Sequence, residues 1–439
     1  MASEWRTATV RDVTVRVTKG TTPTTVGRQF VERGINFVKV ESITDDGRIE
    51  PDKLAHIDER TNALLSRSVL EKDDVLFTIA GTIGRVALVP SSILPANTNQ
   101  AVAIVRPRQE AVLPRFLYYV LGDENRVRQA HTRVVQSVQA NFSLAELSSL
   151  EIPLPKVEEQ RAIAHILGTL DDKIELNRRM NETLEAMARA LFRSWFVDFD
   201  PVRDKAEGHD PGLPKPLADL FPDSFEAAEP IETPEGWSAT PLYDIATYIN
   251  GAAYAAFQPN DERSGLPIIK IAELKAGVTA QTKFSDVQMP EKYRVARRDI
   301  LFSWSGNPDT SIDVFVWSFG PAWLNQHIFR VVPHHQHERA FVLATLKSLR
   351  PVFAEIARNK QTTGLGHVTA ADMKRLLVPR PDDRLMRAWQ VVAGPLLERA
   401  FQNEVEIHEL AAVRDTLLPK LISGELRVKD AGRFVEAPV

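Results

Sequence analysis

Hydrophobic residues recur along two long stretches of the chain at alternating steps of four and three residues. The first stretch lies between Pro155 and Val197, and the second follows Pro381. This spacing predicts a helix with a heptad seam on one face. The first seam comprises Ile163, Leu167, Leu170, Ile174, Asn177, Asn181, Leu184, Ala188, Leu191 and Trp195, and the second comprises Leu385, Trp389, Val392, Leu396, Asn403, Ile407, Leu410, Val413 and Leu417.

A seam of this kind needs a partner, and the simplest partner for each helix is the other helix. The chain between the two stretches is long enough to return, so the sequence predicts an antiparallel pair. The alternative is that each helix packs only on its own globular module. Asn177 and Asn181 lie in the seam, where polar residues cost stability but can fix register and partner. Gly394-Pro395 interrupts the second stretch and predicts a kink or a break there.

Residues 1–150 and 236–377 follow a different pattern, in which short β-branched runs are separated by Gly, Pro, Asn and Asp. The first module is predicted to hold strands at 37–40, 75–79, 85–89 and 101–105 and a helix at 116–121. The second is predicted to hold strands at 268–271, 299–303, 314–319 and 327–332 and a helix around 341–349. Both modules therefore mix α and β structure.

The two modules repeat one another. Asp74-Val75-Leu76-Phe77 is matched by Asp299-Ile300-Leu301-Phe302, and Asn99-Gln100 is matched by Asn325-Gln326, at offsets of 225 and 226 residues. Each module ends in a Pro-x-Pro before its long helix. A period of this length indicates a duplicated domain rather than a solenoid. A duplicated module suits a target that itself has two halves.

The predicted fold class is α+β, with two α/β domains joined by two long antiparallel coiled-coil-like helices in a pseudo-twofold internal repeat. We place the first α/β domain at 1–154 and the second at 236–380. The remaining predicted segments are a central helix at 155–197, an acidic, Pro-rich linker at 198–235, a distal helix at 381–426 and a C-terminal tail at 427–439.

The net charge of −4 argues against a nucleic-acid partner until it is mapped along the chain. The linker holds eleven Asp and Glu against three Lys and Arg, so the rest of the chain is at +4. Seven prolines and this acidity predict that the linker is an extended connection rather than a compact one. Basic residues cluster at Arg106, Arg108, Arg115, Arg126, Arg128 and Arg133, and again at Lys347, Arg350, Arg358, Lys360, Lys374 and Arg375. A single cluster of this kind is typical of a solvated helix face, and the recurrence in both halves strengthens the interpretation as a nucleic-acid surface.

Other features narrow the function classes. The chain has no cysteine, which excludes a disulfide framework and fits a reducing cytoplasm. No run of about 18 apolar residues indicates a membrane span. No phosphate-binding or dinucleotide-binding glycine motif is present. We interpret the pair Gly81 and Gly84 as a tight turn. We interpret His334-His335-Gln336-His337 as a polar loop rather than a metal site, because no spaced ligand cluster accompanies it.

Five segments carry a resemblance to a known family. Glu158-Glu159-Gln160-Arg161-Ala162-Ile163-Ala164 and the run from Leu191 to Val202, with Leu170 to Asn177 between them, resemble the central region of type I restriction-modification specificity subunits. The run from Arg414 to Leu426 looks like the distal repeat of that family, and Asp74 to Ala87 is similar to its target-recognition domains. The resemblance spans nearly the whole chain.

The resemblance implies a non-catalytic subunit that reads double-stranded DNA. Each target-recognition domain would read one half of an asymmetric bipartite site, and the helix pair would set the spacing and dock two methyltransferase subunits. No cofactor would belong to this chain. S-adenosylmethionine would belong to the methyltransferase partners, and ATP and Mg to a motor and nuclease partner.

DNA sequence is read at base edges by polar and cationic side chains, whereas phosphate contacts position the protein. Each module offers a run rich in hydrogen-bond donors before its Pro-x-Pro, and further candidate loops follow predicted strands. The candidate DNA-binding residues are Lys19, Thr21, Thr22, Arg85, Arg126, Arg128, Arg133, Gln136 and Asn141 in the first module and Asn250, Tyr254, Arg358, Lys360, Gln361, Thr362, Thr363 and His367 in the second.

Two other function classes remain open at the level of sequence. One is a DNA-modifying enzyme, a nuclease or methyltransferase with a divergent active site, which activity of the isolated chain would reveal. The other is a coiled-coil scaffold that binds proteins and has no DNA affinity.

Overall fold

The computed structural model describes residues 5–123, 142–226, 231–361 and 365–428. The chain divides into two compact units. Unit 1 consists of Met1–Ile174 with Glu409–Val439, and unit 2 consists of Glu175–His408. Each unit contains one module of sheets and part of both long helices, so the predicted α+β class and the duplicated organisation are confirmed.

Unit 1 is built around a four-stranded antiparallel sheet in the order β2-β8-β5-β6. A three-stranded sheet, β4-β3-β7, and the pair β1-β9 complete it. The strands are β1 (Arg6–Thr9), β2 (Thr14–Lys19), β3 (Ile35–Val38), β4 (Ala55–Ile57), β5 (Val75–Thr78), β6 (Val86–Leu88), β7 (Ala96–Thr98), β8 (Val102–Pro107) and β9 (Glu151–Leu154). The short helices are α1 (Glu59–Leu64), α2 (Pro114–Leu121) and α3 (Leu144–Ser148).

Unit 2 repeats this plan with a four-stranded sheet in the order β13-β21-β17-β19 and a second sheet, β15-β14-β20-β16. Its strands are β10 (Phe225–Glu226), β11 (Thr233–Pro234), β12 (Ser238–Pro241), β13 (Ala246–Asn250), β14 (Leu266–Ile269), β15 (Phe284–Ser285), β16 (Arg294–Val295), β17 (Ile300–Ser303), β18 (Ser305–Gly306), β19 (Asp313–Val316), β20 (Ala322–Leu324), β21 (Ile328–Pro333), β22 (Gly366–His367) and β23 (Leu377–Arg380). Its short helices are α4 (Asp200–Ala206), α5 (Lys215–Ala218), α6 (Ile271–Ala276), α7 (Arg339–Ser348), α8 (Arg350–Asn359) and α9 (Ala370–Arg375).

The central strands β5 and β17 are buried at every position because both faces of the sheet are covered. In β5, Val75 and Phe77 join the core that includes α2, while Leu76 points into a separate core on the other face. In β17, Ile300 and Phe302 face one core and Leu301 faces another. Side chains alternate across a strand, so a strand buried on both sides shows a continuous apolar run.

The first long helix spans Val157–Phe196 and the second spans Asp383–Ser423. In unit 1, Arg414 donates to Asp171 at 2.8 Å. In unit 2, Asn177 donates to Glu406 at 2.8 Å, and the rings of Trp195 and Trp389 lie 5.4 Å apart. Partner numbers fall along the second helix as they rise along the first, so the predicted antiparallel pairing is confirmed. The helices also share apolar cores with the modules, so packing on a module accompanies the pairing rather than replacing it.

The second seam differs in part from its prediction. Met386, Ala393, Ala400, Ile407 and Leu421 are buried at seven-residue steps, or a multiple of them, and Arg414 completes the series. Val413, which was predicted to lie in the seam, is 47% exposed. Arg414 takes the inward position because its guanidinium pairs with Asp171. Hydrophobicity alone could not show that an arginine would point inward there.

The predicted interruption at Gly394-Pro395 does not break the helix, which is continuous from Asp383 to Ser423. Proline lacks the N–H that would bond to the carbonyl four residues earlier, here that of Val391. The Val391 side chain is 73% exposed, so this part of the helix faces solvent. Water can hydrogen-bond a carbonyl freed on such a face, which makes the proline tolerable.

The prediction that the acidic stretch is extended is wrong for its described residues. They form α4, α5 and the pairing of β10 with β11. Phe199, Val202 and Phe221 are buried and join the main apolar core of unit 2. The charge and proline content of the segment predicted an extended chain, but the three apolar side chains hold it against the core of unit 2.

Candidate nucleic-acid interface

In both units, turns and strand ends at one end of the four-stranded sheet form a corresponding surface, which we call the reading edge. In unit 1 it is formed by the end of β2 at Lys19, the turn at Asn99–Ala101 before β8, and the hairpin between β5 and β6. In unit 2 it is formed by the end of β13 at Asn250, the turn at Asn325–His327 before β21, and the chain after β17. The repeat therefore brings matched loops to the same place in each module.

A glycine shapes the reading edge in each unit. A Cβ on Gly20 would lie 1.8 Å from the Thr98 carbonyl oxygen, and a Cβ on Gly251 would lie 2.2 Å from the Asn325 carbonyl oxygen. Backbones this close leave no room for any side chain. The two glycines allow the strand end to lie against the backbone of the Asn-Gln turn, and this close contact explains why a glycine recurs at this position in both modules.

Side chains of the first reading edge hold one another. The backbone N–H of Thr22 donates to Oε1 of Gln100 at 3.1 Å, and the Thr22 hydroxyl contacts the same oxygen. Lys19 is exposed and has no ion-pair partner among the described residues. Thr21 and Thr22 are half-buried. The edge thus combines an open cation with a fixed carboxamide, which suits contact with phosphates and bases.

The second reading edge has an aromatic centre. The Trp304 indole N–H donates to Oδ1 of Asn250 at 3.1 Å, and the ring of His327 lies 5.8 Å from that of Trp304. His327 Nδ1 is buried without a hydrogen-bond partner among the described residues. Tyr254 lies nearby along the chain, with the Lys270 ammonium 5.1 Å from its ring centre. This edge offers amide, indole and imidazole groups where the first offers threonine and glutamine.

The residues that follow the two donor-rich runs are hydrogen-bonded to the reading edges. Phe142, which follows the first run, donates from its backbone N–H to the Ile79 carbonyl at 2.9 Å. Val368, which follows the second run, donates in the same way to the Trp304 carbonyl at 2.8 Å. These residues are offset by 226 and 225 positions, as the repeat requires. His367 itself pairs with Ser305 in the β18-β22 ladder.

Two of the arginines predicted to bind DNA form ion pairs and hydrogen bonds within the protein. Arg85 donates to Asp45 at 2.6 Å and to the Ile43 carbonyl at 2.8 Å, so it braces the hairpin whose Gly81 and Gly84 adopt positive φ. Arg358 donates to Asp309 at 2.7 Å. These contacts favour a positioning role for both arginines over direct base contact.

Lys360 is engaged as well. Its ammonium donates to both oxygens of Asp372, at 2.5 and 2.6 Å. Burial by itself would raise the pKa of Asp372, but hydrogen bonds from Lys360 and Thr369 outweigh it and hold that pKa below its ordinary value. Gln361 follows at the exposed end of α8. Arg126, Arg128, Arg133, Gln136, Asn141, Thr362 and Thr363 lie outside the described residues.

Sequence reasoning did not place Gln100, Trp304 or His327 among the candidates. The repeated Asn-Gln pair was a signal for Gln100, since it recurs at the same point in both modules. Trp304 and His327 had no such signal. Their adjacency depends on the pairing of β17 with β21, where Ser303 lies opposite Ile328.

The histidine-rich loop forms a small cluster away from these edges. Ligand atoms of His337, Glu338 and Asp383 lie within 4.8 Å of one another. Both Glu338 oxygens accept hydrogen bonds already, one from Arg380 and one from the His335 N–H. These bonds account for the buried carboxylate.

None of the helices in the described part of the chain has the length and the apolar character that a membrane span requires.

Comparison with known proteins places these features in context. The family model described as type I restriction modification DNA specificity domain matches residues 2–186 and 234–388. The type I restriction enzyme MjaIX specificity subunit of Methanocaldococcus jannaschii is 25% identical over 432 residues, covering 97% of this chain and 94% of that protein. The HindI specificity subunit of Haemophilus influenzae is also 25% identical, covering 82% and 88%.

A solved structure shares the fold. The crystal structure of the type I restriction-modification S subunit from M. genitalium aligns with a TM-score of 0.58 at 16% identity, covering 95% of this chain and 96% of that one. At this identity the likeness concerns architecture alone. Both duplicated modules and both long helices fall within the matched length.

Proposed function

Because this chain belongs to the type I restriction-modification specificity family, as a DNA-recognition subunit without catalytic activity of its own, we propose that it reads an asymmetric bipartite DNA site. Each module reads one half-site through its reading edge. The duplicated edge is the observation that carries this proposal. Equivalent glycines and Asn-Gln turns meet in both units, and the residue after each donor-rich run makes an equivalent backbone hydrogen bond, while the side chains presented at the two edges differ.

Different side chains on one scaffold are what an asymmetric target requires. The first edge offers Lys19, Thr22 and Gln100, and the second offers Asn250, Trp304 and His327. Hydrogen-bonding groups at base edges discriminate between base pairs, at about 1–3 kcal/mol for each good bidentate contact. The sheets and helices of the two units are equivalent, whereas the side chains at the two reading edges differ. The two half-sites therefore have different sequences.

The helices supply the second part of the proposal, which is that they dock two methyltransferase subunits. Leu176 and Met187 are about half exposed on the first long helix. Arg179, Met180, Thr183, Leu184 and Arg399 line a surface groove of about 400 Å³. Exposed apolar side chains of this kind are typical of protein interaction surfaces. The internal repeat supports two docking surfaces rather than one.

In this proposal the chain holds no cofactor. S-adenosylmethionine belongs to the methyltransferase partners, and ATP with Mg belongs to a motor and nuclease partner where one is present. The complex acts in the cytoplasm, where the host DNA lies.

A module exchange tests the division of the target. Residues 1–150 are replaced by those of a relative, the chimera is assembled with its methyltransferase subunits, and methylated positions are mapped on genomic DNA. We expect one half-site to change and the other to be retained. A change of both half-sites, or of neither, would contradict one module per half-site. A mass measurement at saturating methyltransferase should give two partners for each chain, and a stable one-to-one complex would contradict two docking surfaces.

A further inference from the structure

In both units the side chain of one carboxamide at the reading edge is held in a single orientation. The Thr22 backbone N–H can only donate, so the atom 3.1 Å away in the Gln100 side chain is the oxygen. The Trp304 indole N–H can only donate as well, so the atom 3.1 Å away in Asn250 is also the oxygen. Neither amide can turn over without breaking this bond.

The remaining group of each carboxamide is its NH2. Gln100 and Asn250 are exposed, and neither amide nitrogen has a hydrogen-bond partner among the described residues. Each edge therefore presents two N–H donors whose direction is set by the protein. The two units orient the carboxamide with different donors, a backbone N–H after β2 in unit 1 and an indole N–H after β17 in unit 2.

A fixed NH2 discriminates among bases in the major groove. Asn and Gln usually read adenine through both ends of the amide, with the oxygen accepting from N6 and the nitrogen donating to N7. Here the oxygen is engaged, so that bidentate pairing is lost. The free donors match guanine, which presents the acceptors O6 and N7, and thymine, which presents O4. Adenine also has an acceptor, N7, but its N6 donor lies beside it, so the second N–H of the amide would face another donor. Cytosine presents the N4 donor and is rejected.

Resting on the function proposed above, we propose that Gln100 and Asn250 are specificity-determining residues. Each selects guanine or thymine, and not adenine or cytosine, at one position of its own half-site. Thr22 and Trp304 are positioning residues, since each acts through the carboxamide that it orients.

The test replaces Gln100 by Glu in the full chain and assembles it with its methyltransferase subunits. Glutamate keeps an oxygen for Thr22 but presents an acceptor where glutamine presents donors. The complex is offered a randomised duplex DNA library, and bound sequences are counted. Gln109→Glu is the matched control, because it adds the same charge at an exposed position beyond the opposite end of β8. Gln100→Met removes the donors without adding charge.

We expect wild type and Gln109→Glu to select guanine or thymine at one position of the first half-site. Gln100→Glu and Gln100→Met should lose that preference by about 5-fold, the lower end of the range for a good bidentate base contact, because only the NH2 end of the amide contacts the base. Other positions and the second half-site should be unchanged. Asn250→Asp should produce the same loss in the second half-site alone.

The outcomes are separable. If wild type selects a bipartite sequence and Gln100→Glu behaves like Gln109→Glu, the inference is overturned and the proposed function stands. Selection of adenine or cytosine at the position that Gln100→Glu alters would also overturn it. If wild type selects no sequence at all, the proposed function itself fails.

Discussion

Asn403 donates a hydrogen bond from Nδ2 to Oδ1 of Asn181, at 2.9 Å, inside the seam of the helix pair. Asn403 is almost fully buried, and Asn177 makes a similar bond to Glu406 one turn away. A buried amide pair costs stability relative to apolar packing. It nevertheless favours one register of the two long helices, because a shift of one helix along the other would leave both amides unpaired among apolar side chains.

Removing one member of this pair should destabilise unit 2. We expect Asn403→Leu to cost about 1–3 kcal/mol, since it leaves the half-buried Asn181 amide without this partner. Adding Asn181→Leu should recover part of that loss. Urea unfolding of the two single variants and the double variant measures the coupling, and strictly additive effects would show that the pair is not coupled.

The core face of the first long helix should tolerate charge far less than its outer face. Leu167 is fully buried and Leu176 is 52% exposed. We expect Leu167→Asp to destabilise by at least about 3 kcal/mol, because it buries a charge without a partner. Leu176→Asp should change stability by about 0.5 kcal/mol or less. Equal losses for the two variants in chemical denaturation would contradict the assigned faces.

The bond between Lys360 and Asp372 should give a pH-dependent stability. The pKa of Asp372 is held below its ordinary value, so the stabilisation is fully present above that ordinary value and is lost as the pH falls through the lowered pKa. We expect Asp372→Asn to be less stable than wild type at neutral pH, with a gap that closes in acid. Unfolding curves measured from pH 7 downward check this, and a gap that widens in acid would contradict it.

Lys19 and Lys360 are both candidate DNA-binding residues, but the ion pair with Asp372 gives Lys360 a different expected role. Lys19 is exposed without a described ion-pair partner, whereas Lys360 is held by Asp372. We expect Lys19→Ala to weaken binding of all DNA sequences alike and to reduce the slope of log K against log salt by about 0.9. Lys360→Ala should mainly lower stability.

Lys156→Ala is the control for the lysine test, since Lys156 is exposed between β9 and the first long helix, away from the reading edge. DNA affinity is measured for wild type and for the three variants at several salt concentrations, and the slopes of log K against log salt are compared. An unchanged slope for Lys19→Ala would remove Lys19 from the phosphate contacts.

The sequence by itself determined the elements and their duplication. The strands around Val75 and Ile300 and both long helices could be predicted, because periodic apolar positions report which faces must be buried. The antiparallel pairing also followed, since each apolar seam required another. The family followed from the motifs in and beside the helices.

Only the tertiary structure decided which side chains meet. Arg414 displaced Val413 from the seam because an aspartate on the other helix pairs with it. Phe199 and Phe221 drew an acidic, Pro-rich stretch into the core. Gln100 and Thr22 lie 78 positions apart, and Asn250 and Trp304 lie 54 apart. Hydrogen bonds across such separations depend on strand order and register, which local pattern does not encode. They are also what orient the carboxamides that we propose as base readers.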